Sequence, residues 1–155
     1  MDVSLCTKAD FDQIRSAIVA FWGSDRTLYL HHPMLIYEFG STAFVIRDGD
    51  IVAAYLFGFF SQTEDLAYAH LVAVREGYKR QGLGRQLYRH FIGVAKEKGY
   101  GVLKAITTTD NPASIRFHTG VIGMQMKGED MGAGIPVVQD YSGPGMHRVV
   151  FTKAL

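Results

Sequence analysis

Cysteine is almost missing from this chain: Cys6 stands alone among 155 residues. A single thiol excludes an intramolecular disulfide framework and suits a reducing compartment, so a cytoplasmic protein is expected. Long apolar runs are missing too. The most apolar stretch, Ile51 to Phe60, is half the roughly 20 residues a membrane-spanning helix needs and reads as a buried strand. Charge of one sign is lacking: the net charge of +1 gives no general pull toward nucleic acid or a membrane surface. Metal-ligand spacing is not seen, because the six histidines are scattered and His31-His32 is adjacent rather than i, i+4. Met1-Asp2-Val3-Ser4 is acidic where a secretory leader would be basic and then apolar, so none is expected. No repeat, low-complexity tract or linker is apparent.

What is there is the composition of a packed globule, 48% apolar and 12% aromatic, long enough for a single domain over 1–155. Val3 to Cys6 reads as a short strand. Asp10 opens a helical pattern through Phe11, Ile14, Ile18 and Phe21 that Gly23 ends. A short helix is expected from Pro33. Thr42 to Arg47 and Asp50 to Phe60 are strands joined at Asp48-Gly49, a hairpin signal. Ala67 to Val74 is a strand, Gly82 to Lys98 a helix ended by Gly99, and Val102 to Thr108 a strand rich in β-branched residues. Asn111 or Asp110 caps a helix with Pro112 at its first position. Closing strands are expected near Val121 to Lys127 and Arg148 to Thr152, with a long glycine-rich loop over 128–145 between them. The order β-α-α-β-β-β-α-β-α-β-β implies an α/β fold with a mixed sheet and helices on both faces.

The stretch from Ala67 to Gly93 is the most informative. A strand ending Val72-Ala73-Val74 enters a basic, glycine-punctuated turn, Lys79-Arg80-Gln81-Gly82-Leu83-Gly84, and a helix follows with Arg85 in its first turn. Glycines allow close backbone approach, unpaired N–H groups face outward, and the helix dipole favours negative charge, so an anionic cofactor is expected here. The string G-x-x-x-x-G-K-[ST] does not occur, and the residue three past Gly84 is Leu87, which breaks G-x-G-x-x-G. The pattern [QR]-x-x-G-x-[GA] after a V-x-V strand end resembles the coenzyme A pyrophosphate loop of the GNAT superfamily of N-acetyltransferases, with Lys79 in place of the usual Gln or Arg. Asn111-Pro112-Ala113-Ser114-Ile115-Arg116-Phe117-His118 resembles a later motif of that family. The run-on after His118 is one residue longer than usual, with Met124 where Phe is customary. The resemblance spans roughly residues 68–126.

The resemblance implies a single-domain fold with a mostly antiparallel sheet. Residues up to about 65 form the acceptor side, about 66–126 the acetyl-CoA core and about 127–155 the loop and closing strand. It implies acetyl transfer from acetyl-CoA to an amine by direct attack in a ternary complex, with no metal. Lys79, Arg80, Gln81, Gly82, Leu83, Gly84 and Arg85 would hold the pyrophosphate. The backbone of Val72, Ala73 and Val74 would pair with the pantetheine arm and could offer an oxyanion donor. Asn111 and Ser114 would contact the cofactor, or serve as an N-cap and a surface hydroxyl.

His70 is the general-base candidate. Tyr68, His70, Val72 and Val74 alternate and share one strand face, and an imidazole titrating near ~6.5 suits deprotonation of an amine. The alternative is a half-buried histidine bonded to a carbonyl. His118 stands where many members carry a tyrosine that protonates the leaving thiolate, and it could instead pack against the cofactor; Tyr141 is a rival donor. Tyr29, His31, His32, Tyr37 and Glu38, with the loop over 128–141, would build the acceptor pocket, although aromatics at such spacing also build cores. That lining favours a small-molecule amine, with no nucleic acid or membrane partner, and homodimers are common in the superfamily. Two other classes remain open: an acyl-CoA-binding or sensing domain without turnover, and a nucleotide-binding protein.

Overall fold

The computed structural model describes residues 1–155. Two compact units are formed, Met1–Phe59 with Ala69–Val94, and Phe60–Tyr68 with Ala95–Leu155. The first holds β1 (Val3–Leu5), α1 (Lys8–Ser16), α2 (Ile18–Trp22), α3 (Met34–Tyr37), β2 (Ala43–Asp48), most of β3 (Ile51–Phe60), the end of β4 (Leu66–Val74) and most of α4 (Leu83–Glu97). The second holds β5 (Val102–Thr107), α5 (Pro112–Arg116), β6 (Gln125–Lys127), β7 (Glu129–Asp130), β8 (Pro136–Val137) and β9 (Val149–Ala154). Seven strands belong to one sheet of order β1-β2-β3-β4-β5-β9-β6. The pairs β1/β2, β2/β3, β5/β9 and β6/β9 are antiparallel. This is the expected mixed α/β, mostly antiparallel architecture.

In the first unit, β2 alternates between two layers. Val45 joins Phe11, Ile14, Phe21, Leu35, Tyr55 and Phe57 in one buried cluster. Its neighbour Phe44 turns the other way, with its ring 4.7 Å from His90 and 6.3 Å from Phe91 of α4. Helix α4 is driven there by its own spacing, since Leu83, Leu87, Phe91 and Ala95 recur every four residues and are all buried. Truncating one of the large rings, such as the fully buried Phe11, would cost about 3–5 kcal/mol.

The first helix starts earlier than its pattern suggests and is broken. Thr7 is the N-cap, and Asp10 closes a capping box by accepting from Thr7 N at 2.8 Å. Arg47 Nε also donates to Asp10, at 2.9 Å. Burial pushes the Asp10 carboxyl up, but Arg47 and Thr7 outweigh it and hold it below its ordinary value. Ala17 leaves helical geometry (φ −105°, ψ 23°), dividing α1 from α2, while Ile14 and Ile18 both stay buried. Cys6 is buried and its thiol is pushed up to about 12, chiefly by desolvation, so it is an inert core residue.

In the second unit, β9 lies between β5 and β6, with Lys104 opposite Thr152 and Met126 opposite Phe151. Two expectations are corrected here. Val121 and Ile122 are not strand but the end of a π-helical turn over Phe117–Ile122, and β6 begins only at Gln125. A π turn holds one more residue than an α turn, so it absorbs the extra residue noted after His118. Gly123 closes the turn in the left-handed region (φ 79°), donating to His118 O. The glycine-rich stretch after Lys127 is not an open loop either, because β7 and β8 pair as a small hairpin.

Candidate active site

The end of β4 alternates strictly. Ala69, Leu71 and Ala73 are buried, while His70, Val72 and Val74 are half-buried on the opposite face. The chain then leaves the strand on fixed points. Arg75 N donates to Ala53 O at 2.8 Å, and Glu76 N to Ala20 O at 2.8 Å. The Arg75 guanidinium reaches Val52 O (2.8 Å) and Gln13 Oε1 (3.0 Å) and lies 4.8 Å from the centre of the Phe21 ring. Arg75 is thus a strap that sets where the basic turn begins.

Within the turn, two residues adopt left-handed backbone: Arg80 (φ 63°) and Gly82 (φ 80°). Arg80 has no glycine freedom, so its conformation carries strain. Lys79, Arg80, Gln81, Gly82 and Arg85 are exposed, whereas Leu83 and Gly84 are buried and anchor the helix start. Gly82 O accepts from Gln86 N at 3.0 Å, which starts the helical ladder. The N–H groups of Leu83, Gly84 and Arg85, in the first turn, therefore have no partner within the helix. A Cβ placed on Gly82 would meet nothing within 4 Å, so the space before the turn is open. Orphan donors, a positive dipole end and three cations around open space fit a pyrophosphate. Lys79 is paired with Glu76 at 2.7 Å, but both are well exposed and such a pair yields readily.

His70 lies 5.9 Å, ring to ring, from Phe59, and burial lowers its pKa. It is therefore neutral at physiological pH, the form a base requires.

In the second unit, Asn111, Ser114 and His118 form one chain of bonds. Asn111 Oδ1 accepts from Ser114 N (3.1 Å), and His118 Nδ1 lies 2.8 Å from Ser114 O and 3.1 Å from Ser114 Oγ. The His118 ring is buried, stacked on Phe151 at 4.6 Å, and desolvation lowers its pKa. A carbonyl partner places the proton on Nδ1 and leaves Nε2 an acceptor, as assigned from this hydrogen-bond network. The neutral ring has no proton to give at Nε2, which weighs against the proton-donor role expected for it.

Of the acceptor-side residues, Tyr29 and His31 line a cleft of about 580 Å³ with Arg15, Asp25, His32 and Pro33. The His31 imidazole is fully buried and spent: Nδ1 bonds Thr27 O (2.8 Å) and Nε2 bonds the Tyr55 hydroxyl (2.7 Å). The expectation that it contacts substrate is corrected, since Phe57, Trp22 and Tyr55 pack around it as a core residue. Tyr29 is exposed, whereas Tyr37 is exposed near Lys8 and does not line the cleft.

One grouping escaped sequence reading. Lys104 Nζ sits 4.9 Å from the centre of the Tyr141 ring, and Tyr141 and Arg148 both act electrostatically on Tyr68, all in the second unit. The available signal was a lone lysine inside the apolar strand Val102-Leu103-Lys104-Ala105-Ile106. The structure brings no group of three His, Cys, Asp or Glu into metal-binding arrangement, and no helix is long and apolar enough to cross a membrane.

Comparison with known proteins agrees with this geometry. The fold is similar to the ribosomal-protein-S18-alanine N-acetyltransferase of Escherichia coli (TM-score 0.69, 18% identity, 98% of this chain and 92% of that one). It is similar to the PaiA N-acetyltransferase of Thermoplasma acidophilum, crystallised with coenzyme A (TM-score 0.75, 10% identity, 99% and 98%). It also resembles a Bacillus subtilis acetyltransferase in complex with CoA (TM-score 0.66, 14% identity, 99% and 98%). At such identities the likeness is one of fold. Comparison with curated sequences returns no significant match. The family model "Acetyltransferase (GNAT) family" matches residues 11–124, most of the chain, and the protein belongs to that family.

Proposed function

We propose that the protein is an N-acetyltransferase that moves the acetyl group of acetyl-CoA to the amine of a small molecule within a ternary complex. The observation that carries this reading is the turn from Lys79 to Arg85, left-handed at Arg80 and Gly82, opening onto the N-terminus of α4. Acetyl-CoA supplies the activated thioester; the protein supplies position, a donor and a base. The turn binds the pyrophosphate through Gln81, Gly82, Leu83 and Gly84 backbone and through Lys79, Arg80 and Arg85. The half-buried end of β4 at Val72, Ala73 and Val74 lays its backbone along the pantetheine arm, where an N–H can stabilise charge developing on the carbonyl oxygen. His70 accepts the proton that the attacking amine gives up. Asn111 and Ser114 hold α5 and orient His118 on the cofactor side, His118 acting by position rather than as an acid. Tyr29 lies on the acceptor side.

Thermal unfolding with acetyl-CoA, ATP and NAD in parallel tests the cofactor. Ligand at about a hundred times its dissociation constant should stabilise the fold by roughly 2.7 kcal/mol. A shift with acetyl-CoA alone, followed by amine-dependent thiol release, is expected. Equal shifts with ATP would overturn the assignment, and binding without release for any amine would leave a sensing domain.

A further inference from the structure

The first unit holds three half-buried arginines, Arg15, Arg47 and Arg75. A guanidinium carries its Nε–H and one Nη2–H on a single edge, as two parallel donors that match the two oxygens of a carboxylate. Arg47 gives that edge to Asp10, Nε to Oδ1 at 2.9 Å and Nη2 to Oδ2. Arg75 gives it to Val52 O at 2.8 Å and Gln13 Oε1 at 3.0 Å. Arg15 differs. Its Nη1 donates to His31 O at 2.5 Å and Leu28 O at 3.4 Å, which fixes the side chain, while Nε and Nη2 find no acceptor in the protein. No ion pair includes it. Half-burial takes water from that edge, and a ligand acceptor would restore what is lost.

The same arginine lines the cleft of about 580 Å³, with Asp25, Leu28, Tyr29 and Pro33 among the other walls. Asp25 is the one carboxylate lining it, and its side chain has neither a hydrogen bond nor an ion pair. One cation and one anion therefore line one cleft without pairing to each other or to any other side chain. That arrangement complements a ligand carrying both signs of charge. It suits phosphate poorly, because Asp25 repels a second negative charge. Leu28, Pro33 and the exposed Tyr29 ring add apolar surface for the rest of the ligand.

We propose that this cleft binds an apolar amino acid, its carboxylate on the Nε/Nη2 edge of Arg15 and its ammonium on Asp25. Binding there does not depend on acetyl transfer. The contact with half-buried, fixed Arg15 should favour the free acid over its uncharged amide by about tenfold or more. The contact with Asp25 is exposed, so removing the ammonium should cost only about threefold.

The test is calorimetric titration of the full chain, without acetyl-CoA, with leucine and phenylalanine, their amides and their N-acetyl forms. Wild type should bind the free amino acids more tightly than either derivative, by about tenfold over the amides and about threefold over the N-acetyl forms. Arg15→Gln should lose the first preference and Asp25→Asn the second. The Asp25 side chain holds no other group, so Asp25→Asn keeps the fold even where Arg15→Gln loosens the carbonyls of Leu28 and His31. Equal binding of all three forms, binding of none, or either preference surviving its substitution would overturn the site. Tighter binding of inorganic phosphate than of the amino acids would overturn it as well. Because acetyl-CoA is left out, failure here leaves the cofactor turn untouched, and failure of that turn leaves this cleft standing.

Discussion

Two glycine-punctuated segments of this chain each force one ordinary residue into left-handed backbone, and they treat the strain in opposite ways. Asp140 (φ 53°) sits in a loop that consumes its own polar groups. Its N donates to His147 Nδ1 at 3.0 Å, its carboxylate accepts from Gly145 N, and Ser142 N bonds Met146 O at 3.1 Å. Arg80 (φ 63°) sits in a turn that leads to the orphan N–H groups of α4 and has open space before Gly82. Aspartate tolerates that region through local hydrogen bonds; arginine has no such device. Strain that is compensated inside a loop marks a structural element. Strain that is left uncompensated beside N–H groups without a partner in the helix marks a place prepared for a ligand.

The strongest way to break this contrast is Gly82→Glu. The left-handed φ of 80° penalises any side chain, and a carboxylate would stand where the pyrophosphate is expected. Loss of measurable acetyl-CoA binding by calorimetry is expected, with the fold retained because no neighbour lies within 4 Å of the new Cβ. Affinity within threefold of wild type would remove the turn from the cofactor site. The matching change in the other segment, Asp140→Ala, should leave acetyl-CoA affinity unaltered.

Chemistry can then be separated from binding. His70→Ala should lower turnover at pH 7 by about 10²–10⁴-fold with acetyl-CoA affinity nearly unchanged. Because burial lowers the His70 pKa, the active neutral form prevails at pH 7, and kcat/KM should fall only as pH drops below about 6.5. A rate that instead rises as the pH is lowered through that range would exclude His70 as the base.

Stability should depend on pH through the other two buried histidines. His31 and His118 are both lowered, chiefly by desolvation, so below about pH 6.5 the unfolded chain binds protons that the folded chain refuses. Their stabilising contribution is therefore complete above that pH and is lost as pH falls toward their depressed folded values. His31→Ala should cost about 3 kcal/mol, because it opens a cavity and strips partners from Tyr55 and Thr27. Thr27 Oγ1 already lacks one. Chemical denaturation at pH 7.5 and 5.5 should show the wild type losing more stability on acidification than His31→Ala.

Much of this was legible in the sequence, for local reasons. Strand alternation at Tyr68 to Val74, the four-residue spacing of α4, and Asn111 before Pro112 are patterns in which neighbouring residues decide the structure. The departures occur where a distant partner decides. His31 was expected in the acceptor pocket, with a core role as the alternative, and it is Tyr55, 24 residues away, that takes its Nε2 and decides for the core. The break at Ala17 has no glycine or proline to announce it. The hairpin β7–β8 was hidden because two-residue strands carry no readable period. Lys104 meets the Tyr141 ring, 37 residues further along the chain, and nothing local in its strand announces that contact.

The smallest predicted effect is the most direct test of the contrast between the two segments. Arg80→Gly removes a left-handed penalty of about 1–2 kcal/mol and adds unfolded-chain entropy worth about 0.4–1 kcal/mol, so the free protein should be unchanged or more stable by up to ~1.6 kcal/mol. Asp140→Gly removes a smaller penalty, since aspartate tolerates that region, and deletes the carboxylate that holds Gly145 N. It should destabilise by about 1 kcal/mol. The two substitutions are thus the same chemical change at two left-handed positions with opposite expected signs, read by urea denaturation without ligand. With acetyl-CoA present the order reverses in meaning: Arg80→Gly keeps the backbone donors but loses one cation and should bind a few-fold more weakly, while Asp140→Gly should bind as wild type does. If Arg80→Gly proved clearly destabilising without ligand, the turn would hold contacts of its own that offset the strain, and Arg80 would belong with Asp140 as a structural residue rather than as part of a prepared site.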